Sequence, residues 1–463
     1  MTDRQRANQT NPTEAPGKFS GKWTAFLTWA LRLLLGAVFT YSGFVKAIDP
    51  WGTIYKFQEY LSALGISVLP TLLLVGVFAL CTMEFLIGVF YIFGCYRRGN
   101  PIMALAMMCV MLPLTLWIAL KNPVADCGCF GDALVISNWA TFWKNVVITA
   151  AVVWTVKFNR RCTTIISPAF QWMALLASAL FVIAIGIYGY GRQPLIDFRN
   201  YPVGSRIVDE AAADSADSEA DNLIFVYEKD GVEKEFGVDD VLPSEEDGWH
   251  FVERREVAAD SDNVPAADEK TFRIWDIDGS EDVTSEVLPR QGGVLLLLIP
   301  ELDKTSPAMT WKINSLYDWS EARGIGMIAV VSGSEEEISR WEDLSMPEYD
   351  IYTADDTAIK EVARGNPALV YVKDGIVRWK SALSAIDVDD FMQAGISRDP
   401  MTFAPDNRHT LLNCLYIYIC CMAVLVSLSM LPRLRNVYSR HNMLGRFRRR
   451  VRKLMKKAGK NHS

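Results

Sequence analysis

Cys127 and Cys129 are separated by a single glycine in the run Asp126-Cys-Gly-Cys-Phe-Gly-Asp132. Two thiols that close can cycle between dithiol and disulfide, hold a loop, or help to ligate a soft metal. A disulfide needs Cα atoms about 4.4 to 6.8 Å apart, which residues two apart reach only where the chain bends, and Gly128 permits that bend. So small a ring is strained, and strained, exposed disulfides are the exchangeable ones. Against redox work, Asp126 and Asp132 flank the pair, whereas reactive thiolates sit in electropositive surroundings. Lys121 offsets this in part. A metal site is the poorest of the three, because histidine occurs only at 250, 409, 441 and 462 and no tetrahedron can be completed nearby. Cys127 and Cys129 are therefore the catalytic candidates, with a redox couple and a structural loop both open, and no metal is expected.

The elements that position the pair are apolar runs. Windows of about 20 residues, enough to cross a bilayer core, lie near 25–48, 70–95, 101–120, 138–158, 168–191 and 410–431, which predicts six transmembrane helices. Basic residues sort them: Arg4, Arg6, Lys18 and Lys22 precede the first, Arg97 and Arg98 follow the second, and Lys157, Arg160 and Arg161 follow the fourth. The positive-inside bias then puts both termini in the cytoplasm and residues of about 193–408 in the periplasm, with the cysteine loop on that same oxidising side. The first run follows a polar tail and lacks a convincing cleavage site, so a retained helix is expected.

Within the first span Arg32, Gly36, Gly43 and Lys46 share one helical face. Arg32 is costly in hydrocarbon without a partner, and Glu84 of the second span is the carboxylate expected to pair with it. Such a pair could fix helix register or line a polar cavity for a small ligand or quinone headgroup. Lys46, near the outer end, is expected to snorkel. Residues 49–61 alternate at helical spacing and carry three large amphipathic rings, which predicts an interfacial helix.

The stretch 193–408 is strongly acidic, with Asp and Glu outnumbering Lys and Arg by more than two to one. Nucleic acid is excluded as a partner on that ground. The tail from 433 carries twelve Lys or Arg and no acid, so its expected partner is anionic lipid, with Leu444, Phe447, Val451 and Met455 on an apolar face.

Four segments resemble the DoxX/MauE membrane family: Leu31-Arg-Leu-Leu-Leu-Gly36, Tyr41-Ser-Gly-Phe-Val-Lys46, Asp49-Pro-Trp-Gly-Thr-Ile-Tyr-Lys-Phe57 and Asp126-Cys-Gly-Cys-Phe-Gly-Asp132. The resemblance spans 24–160 and implies a four-helix membrane bundle in which Cys127 and Cys129 are the redox pair and Arg32, Glu84 and Lys46 are polar positions. It also implies help with disulfide formation in, or export of, a periplasmic methylamine dehydrogenase subunit. A large exported domain and a sixth span set this chain apart from a bare member of that family.

From about 269 to 398 strands and helices alternate, which predicts an extracytoplasmic α/β domain. It resembles a thioredoxin-like domain of the TlpA or peroxiredoxin type, opening with a strand at 271–277 and carrying Pro367 as its cis-proline. Where that family keeps Cys-x-x-Cys, this chain has Glu301-Leu302-Asp-Lys-Thr-Ser306, so the domain cannot exchange thiols itself. Pro367, Glu301 and Leu302 then mark a degenerate groove, either fold geometry alone or a peptide-docking site. Residues 193–268 read as an acidic linker with a small β hairpin between 223 and 257, and 1–23 and 432–463 as cytoplasmic tails. The function expected is accessory thiol/disulfide chemistry, in which the cysteine pair passes electrons, a quinone is the acceptor class considered, and the exported domain holds a protein client. A non-catalytic scaffold with a structural cysteine pair is the alternative, and a small-solute transporter the poorest.

Overall fold

The chain divides into two compact units, Met1–Gly189 with Arg408–Ser463, and Tyr190–Asn407. The computed structural model describes residues 18–122, 128–159, 162–207, 223–229, 232–237, 250–256, 272–288, 291–393 and 400–458.

The first unit is helical: α1 (Lys18–Ile48), α2 (Pro50–Ala63), α3 (Pro70–Phe93), α4 (Gly99–Lys121), α5 (Asn138–Phe158), α6 (Gln171–Gly191) and a long C-terminal helix, Asn407–Ala458. Proline opens α2 and α3, where a missing N–H costs nothing, and Asp49 caps α2 by accepting from Gly52 N at 3.0 Å. The interfacial segment read from 49–61 is thus a helix. α1 runs along α3, and α4 packs on α5. Phe181 of α6 stacks on Tyr418 of the C-terminal helix at 4.3 Å between ring centres, and the Tyr418 hydroxyl meets Ser178 Oγ at 2.9 Å.

Among the described residues five helices are long and apolar enough to cross a membrane: Trp23–Ile48, Pro70–Phe93, Gly99–Lys121, Pro168–Gly191 and Asn407–Pro432. The span expected at 138–158 does form a helix, but Asn138, Thr141, Lys144, Asn145, Thr149, Thr155 and Lys157 keep it below that standard. Several of its polar residues point inward. Thr141, Asn145 and Thr155 are buried, while Trp143, Val147 and Val153 are 61%, 66% and 51% exposed. The segment expected to be a cytoplasmic tail from 432 continues the preceding helix through Pro432 to Ala458.

In the second unit, β1 (Leu223–Lys229), β2 (Val232–Gly237) and β3 (His250–Glu256) form an antiparallel sheet in the order β2-β1-β3. The hairpin expected there has a third strand, whose charged His-Phe-Val-Glu-Arg-Arg-Glu sequence carries no strong apolar alternation.

A five-stranded sheet follows, built from β4 (Gly293–Ile299), β5 (Gly326–Val331), β6 (Asp350–Thr353), β7 (Ala368–Lys373) and β8 (Ile376–Ala382) in the order β6-β5-β4-β7-β8. β4, β5 and β6 are parallel, and β7 and β8 are antiparallel to their neighbours. β4 is central and apolar on both faces. Leu296 and Leu298 enter one core with Val330, Ile359 and Val370, and Leu295 and Leu297 enter the other with Leu316, Trp319, Trp341 and Trp379. Helices α7 (Thr310–Glu321) and α8 (Glu335–Ser345) cover the second face, and α9 (Asp356–Val362) the first. Of the opening strand expected at 271–277, the described residues 272–277 form no strand; Trp275 makes isolated bridges to Asp282 and Thr353.

The segment before this domain is fastened by buried charge. Lys380 of β8 donates to Asp197 Oδ2 at 2.9 Å, to Val362 O at 2.5 Å and to Tyr201 O, while Arg199 forks onto Asp197 at 2.7 and 2.9 Å. Burial raises the Asp197 pKa, yet Arg199 and Lys380 outweigh it and hold the carboxyl at about 2. Burial and the neighbouring Arg199 bring Lys380 down to about 8 despite Asp197.

Candidate functional site

The site begins with a close helix contact. A Cβ on Gly43 of α1 would lie 2.5 Å from Phe85 N of α3, and one on Gly88 would meet Thr40 N, so only glycine lets the two backbones approach. The pairs Gly36 with Ile92, Thr40 with Gly88 and Gly43 with Phe85 show the helices running antiparallel. Glu84 therefore lies level with Gly43, one turn from Lys46.

Lys46 Nζ donates to Glu84 Oε1 at 2.7 Å, to Glu84 Oε2 at 2.8 Å and to Ser42 Oγ at 3.1 Å. All three ammonium protons are used, and both charged side chains are buried. The expected Arg32–Glu84 pair does not form, and the expected snorkelling of Lys46 does not occur. Arg32 lies eleven residues before Gly43, about 16 Å along a helix rising 1.5 Å per residue, beyond the reach of a guanidinium. It donates instead to the Tyr91 carbonyl from Nε and Nη2 at 3.1 and 3.0 Å, and to Thr163 O at 3.3 Å, with Trp29 beneath it at 4.5 Å. That places its charge at the C-terminal end of α3, where a cation is favourable.

The described end of the cysteine loop, from Gly128, meets the Lys46–Glu84 pair at Ser42. Ser42 Oγ lies 2.8 Å from Glu84 Oε2 and 2.7 Å from the Cys129 carbonyl. A hydroxyl has one proton, so Ser42 donates to the carboxylate or to the loop, not to both at once. Gly128 takes a left-handed backbone, with φ of 57°, against the aliphatic stem of Lys56 on α2. Lys144 of α5 sits over the Phe130 ring at 4.2 Å.

Cys129, Lys46, Glu84, Ser42, Lys144 and Met111 all line one cavity of about 40 Å³. That is room for about three waters, and well short of the roughly 150 Å³ that holds a benzene ring. Cys129 is close enough to Lys46 to interact with its charge. Cys127 falls outside the described residues. Of the residues that line this cavity, sequence reasoning missed Ser42, Lys144 and the methionines of α4; Ser42 was detectable, one turn before Lys46 on the same face.

In the α/β unit the Asn366–Pro367 bond is cis. Asn366 Nδ2 donates to Glu301 O at 2.6 Å, and Thr305 Oγ1 lies 3.2 Å from Asn366 Oδ1. The Glu301 carboxylate lies 3.0 Å from Lys304 and 3.5 Å from Lys360. Pro367 and Glu301 are thus neighbours. Leu302 is not part of a groove; it is buried in the core with Ile299, Ile313 and Ile338, because an apolar side chain just past a central strand gains more by burial than by lining a polar turn.

Residues 24–158 match the family described as Methylamine utilisation protein MauE. The N-terminal region is MauE-like. Every residue of the Lys46–Glu84 site lies inside this MauE-like region, whose extent agrees with the 24–160 expected from the motifs. Residues 222–259, which contain β1 to β3, match a second model described as Domain of unknown function (DUF8463). No curated protein and no solved structure matches the chain.

Proposed function

We propose that the protein is a membrane component of thiol/disulfide chemistry on the extracytoplasmic side of a bacterial inner membrane, with Cys127 and Cys129 as its redox pair. The observation that carries this reading is the shared cavity of Cys129, Lys46, Glu84 and Lys144. A cation beside a sulfur favours the thiolate, the form that attacks and leaves in exchange. Lys46 is balanced by Glu84, so Lys144 is the cation that supplies the electropositive surroundings Asp126 and Asp132 alone would deny.

In this reading a client thiolate attacks the Cys127–Cys129 disulfide and forms a mixed disulfide, and a second client thiol displaces the protein. The client leaves oxidised, and the pair retains two electrons and two protons. A quinone accepting both becomes a hydroquinone and restores the disulfide. The cavity admits no ring as it stands, so quinone access requires Met107, Met108 and Met111 to swing aside, which flexible thioethers allow.

Six spans, both termini inside and a periplasmic 193–408 complete the proposal. Outward Trp143, Val147 and Val153 over inward Thr141, Asn145 and Thr155 are what a lipid-facing helix presents, which supports α5 as a span. Strand order β6-β5-β4-β7-β8, with antiparallel pairing confined to the β7 and β8 side of β4, and Pro367 beside the turn after β4, support a thioredoxin-like reading of the α/β unit. Without cysteine there, its part is to hold an exported client. The basic tail rests on anionic lipid.

The test is genetic. Strains carrying Cys127→Ser or Cys129→Ser should accumulate reduced thiols in exported proteins that are disulfide-bonded in the parent strain. Unchanged profiles in both would support the scaffold instead.

A further inference from the structure

A second cavity, of about 470 Å³, lies at the opposite end of α1 from the cysteine loop and is lined by Tyr96, Arg97, Arg98, Gly99, Thr164, Pro168 and Gln171. Its size falls in the range of small-ligand sites. Three helices that are long and apolar enough to cross a membrane meet there: α3 ends at Phe93, α4 begins at Gly99, and the Pro168–Gly191 segment begins at its rim. The cavity is therefore at headgroup level for any bilayer those helices span.

Its lining is almost entirely donors. Arg97 and Arg98 contribute two guanidinium groups, Thr164 and Tyr96 contribute hydroxyls, and among the described residues no carboxylate lines it. No side chain caps the N-terminus of α4, which adds its partial positive charge. The independent observation is Gln171. It is only 8% exposed and lines the cavity, its Oε1 accepts from Tyr96 N at 3.1 Å, and its Nε2 has no hydrogen bond among the described residues. That Nε2 is not a sealed buried atom; it belongs to a residue lining the cavity and can donate to an acceptor from outside the chain. The surrounding turn is firmly held. Arg97 Nη1 donates to Cys162 O at 2.7 Å, Asn159 Nδ2 to Arg97 O at 3.1 Å, and Ile165 N to Phe93 O at 2.8 Å.

We propose that this cavity binds the phosphate group of an anionic phospholipid, with Arg98 and Gln171 Nε2 as its principal donors and Arg97 as the residue that fixes the turn. Trp172, next to Gln171 in the chain, is exposed, as an interfacial aromatic is at headgroup level.

The experiment is native mass spectrometry of the full-length protein released from micelles containing phosphatidylglycerol or phosphatidylcholine, with and without millimolar inorganic phosphate. Arg98→Gln removes an exposed guanidinium. Gln171→Glu keeps the oxygen that accepts from Tyr96 N and replaces only the donor. Arg449→Gln, in the basic tail, is the control. Phosphatidylglycerol retention should fall at least fivefold in Arg98→Gln and in Gln171→Glu and stay unchanged in Arg449→Gln, with phosphatidylcholine retained weakly throughout. Displacement of the lipid by inorganic phosphate would support the same phosphate chemistry served from solution, and persistence of the lipid would support the headgroup. Equal retention of the two lipids by the parent protein, or undiminished phosphatidylglycerol in both site variants, would overturn the proposal.

Discussion

Breaking the Lys46–Glu84 pair one side at a time should cost far more than removing both charges together. The geometry sets the scale. Nζ lies 2.7 and 2.8 Å from the two carboxylate oxygens, and the side chains are only 7% and 5% exposed. At an effective dielectric of about 20, unit charges about 4 Å apart attract by about 4 kcal/mol, whereas an exposed pair is worth about 0 to 1 kcal/mol. Lys46→Met leaves a buried carboxylate with only Ser42 to bond it, and Glu84→Met leaves a buried ammonium in the same position. Each should cost about 3 to 5 kcal/mol, while the double variant, which strands no charge, should come close to the parent. Equilibrium unfolding of the purified full-length protein in mixed micelles, run as a double-mutant cycle, measures the coupling, expected at about 2 kcal/mol or more. Single variants that cost under about 1 kcal/mol each and add within about 0.5 kcal/mol would refute the reasoning.

Three further outcomes are expected. Ser42→Ala removes the hydroxyl that ties the cysteine loop to α1, a contribution of about 1 kcal/mol, so the rate at which an impermeant maleimide labels Cys129 should rise about fivefold; an unchanged rate would mean that the loop is held by other contacts. Gly43→Ala forces a methyl into the backbone of Phe85 and should lower stability by about 1 to 3 kcal/mol by overpacking, read as a fall in melting temperature. In the α/β unit, the depressed pKa of Asp197 gives stability that is present above about pH 4 and lost as pH falls through about 2. Lys380, at about 8, is held in a site that disfavours its charge, so the unfolded chain binds more protons between about pH 8 and 10.4 and stability should rise by about 3 kcal/mol across that window. Hydrogen exchange of β8 should show both slopes, and Lys380→Met should abolish the upper one.

The apolar runs made most of the architecture legible, because a 20-residue helix and a seven-residue Gly-Val-Leu-Leu-Leu-Leu-Ile strand each leave a length that few other elements fit. What the sequence could not supply was register between helices. Arg32 and Glu84 looked level when depth was counted along each run separately. The actual register depends on Gly43 and Gly88 meeting across α1 and α3, a contact invisible until the helices are docked. The same limit hid the electrostatics of the cysteine loop: its flanking aspartates are adjacent in the chain, whereas the lysines that share a cavity with Cys129 come from α1 and α5. Helix α5 shows a different ambiguity. Its apolar count is ordinary, and only the direction of its threonines and asparagines, inward rather than outward, sets it apart from a surface helix. Leu302 was misread because the missing Cys-x-x-Cys drew attention to the turn, although a leucine directly after a buried strand has a stronger claim on the core.

The most direct measurement is a redox titration of the full-length protein in right-side-out membrane vesicles. Vesicles are equilibrated with a graded ratio of reduced to oxidised glutathione, quenched, and labelled with an impermeant maleimide, and the mass of the peptide containing Cys127 and Cys129 is read. The account predicts zero labels at the oxidising end, two at the reducing end, and a sigmoidal change between them. Two labels at every ratio, none at any ratio, or labelling only in inverted vesicles would contradict it.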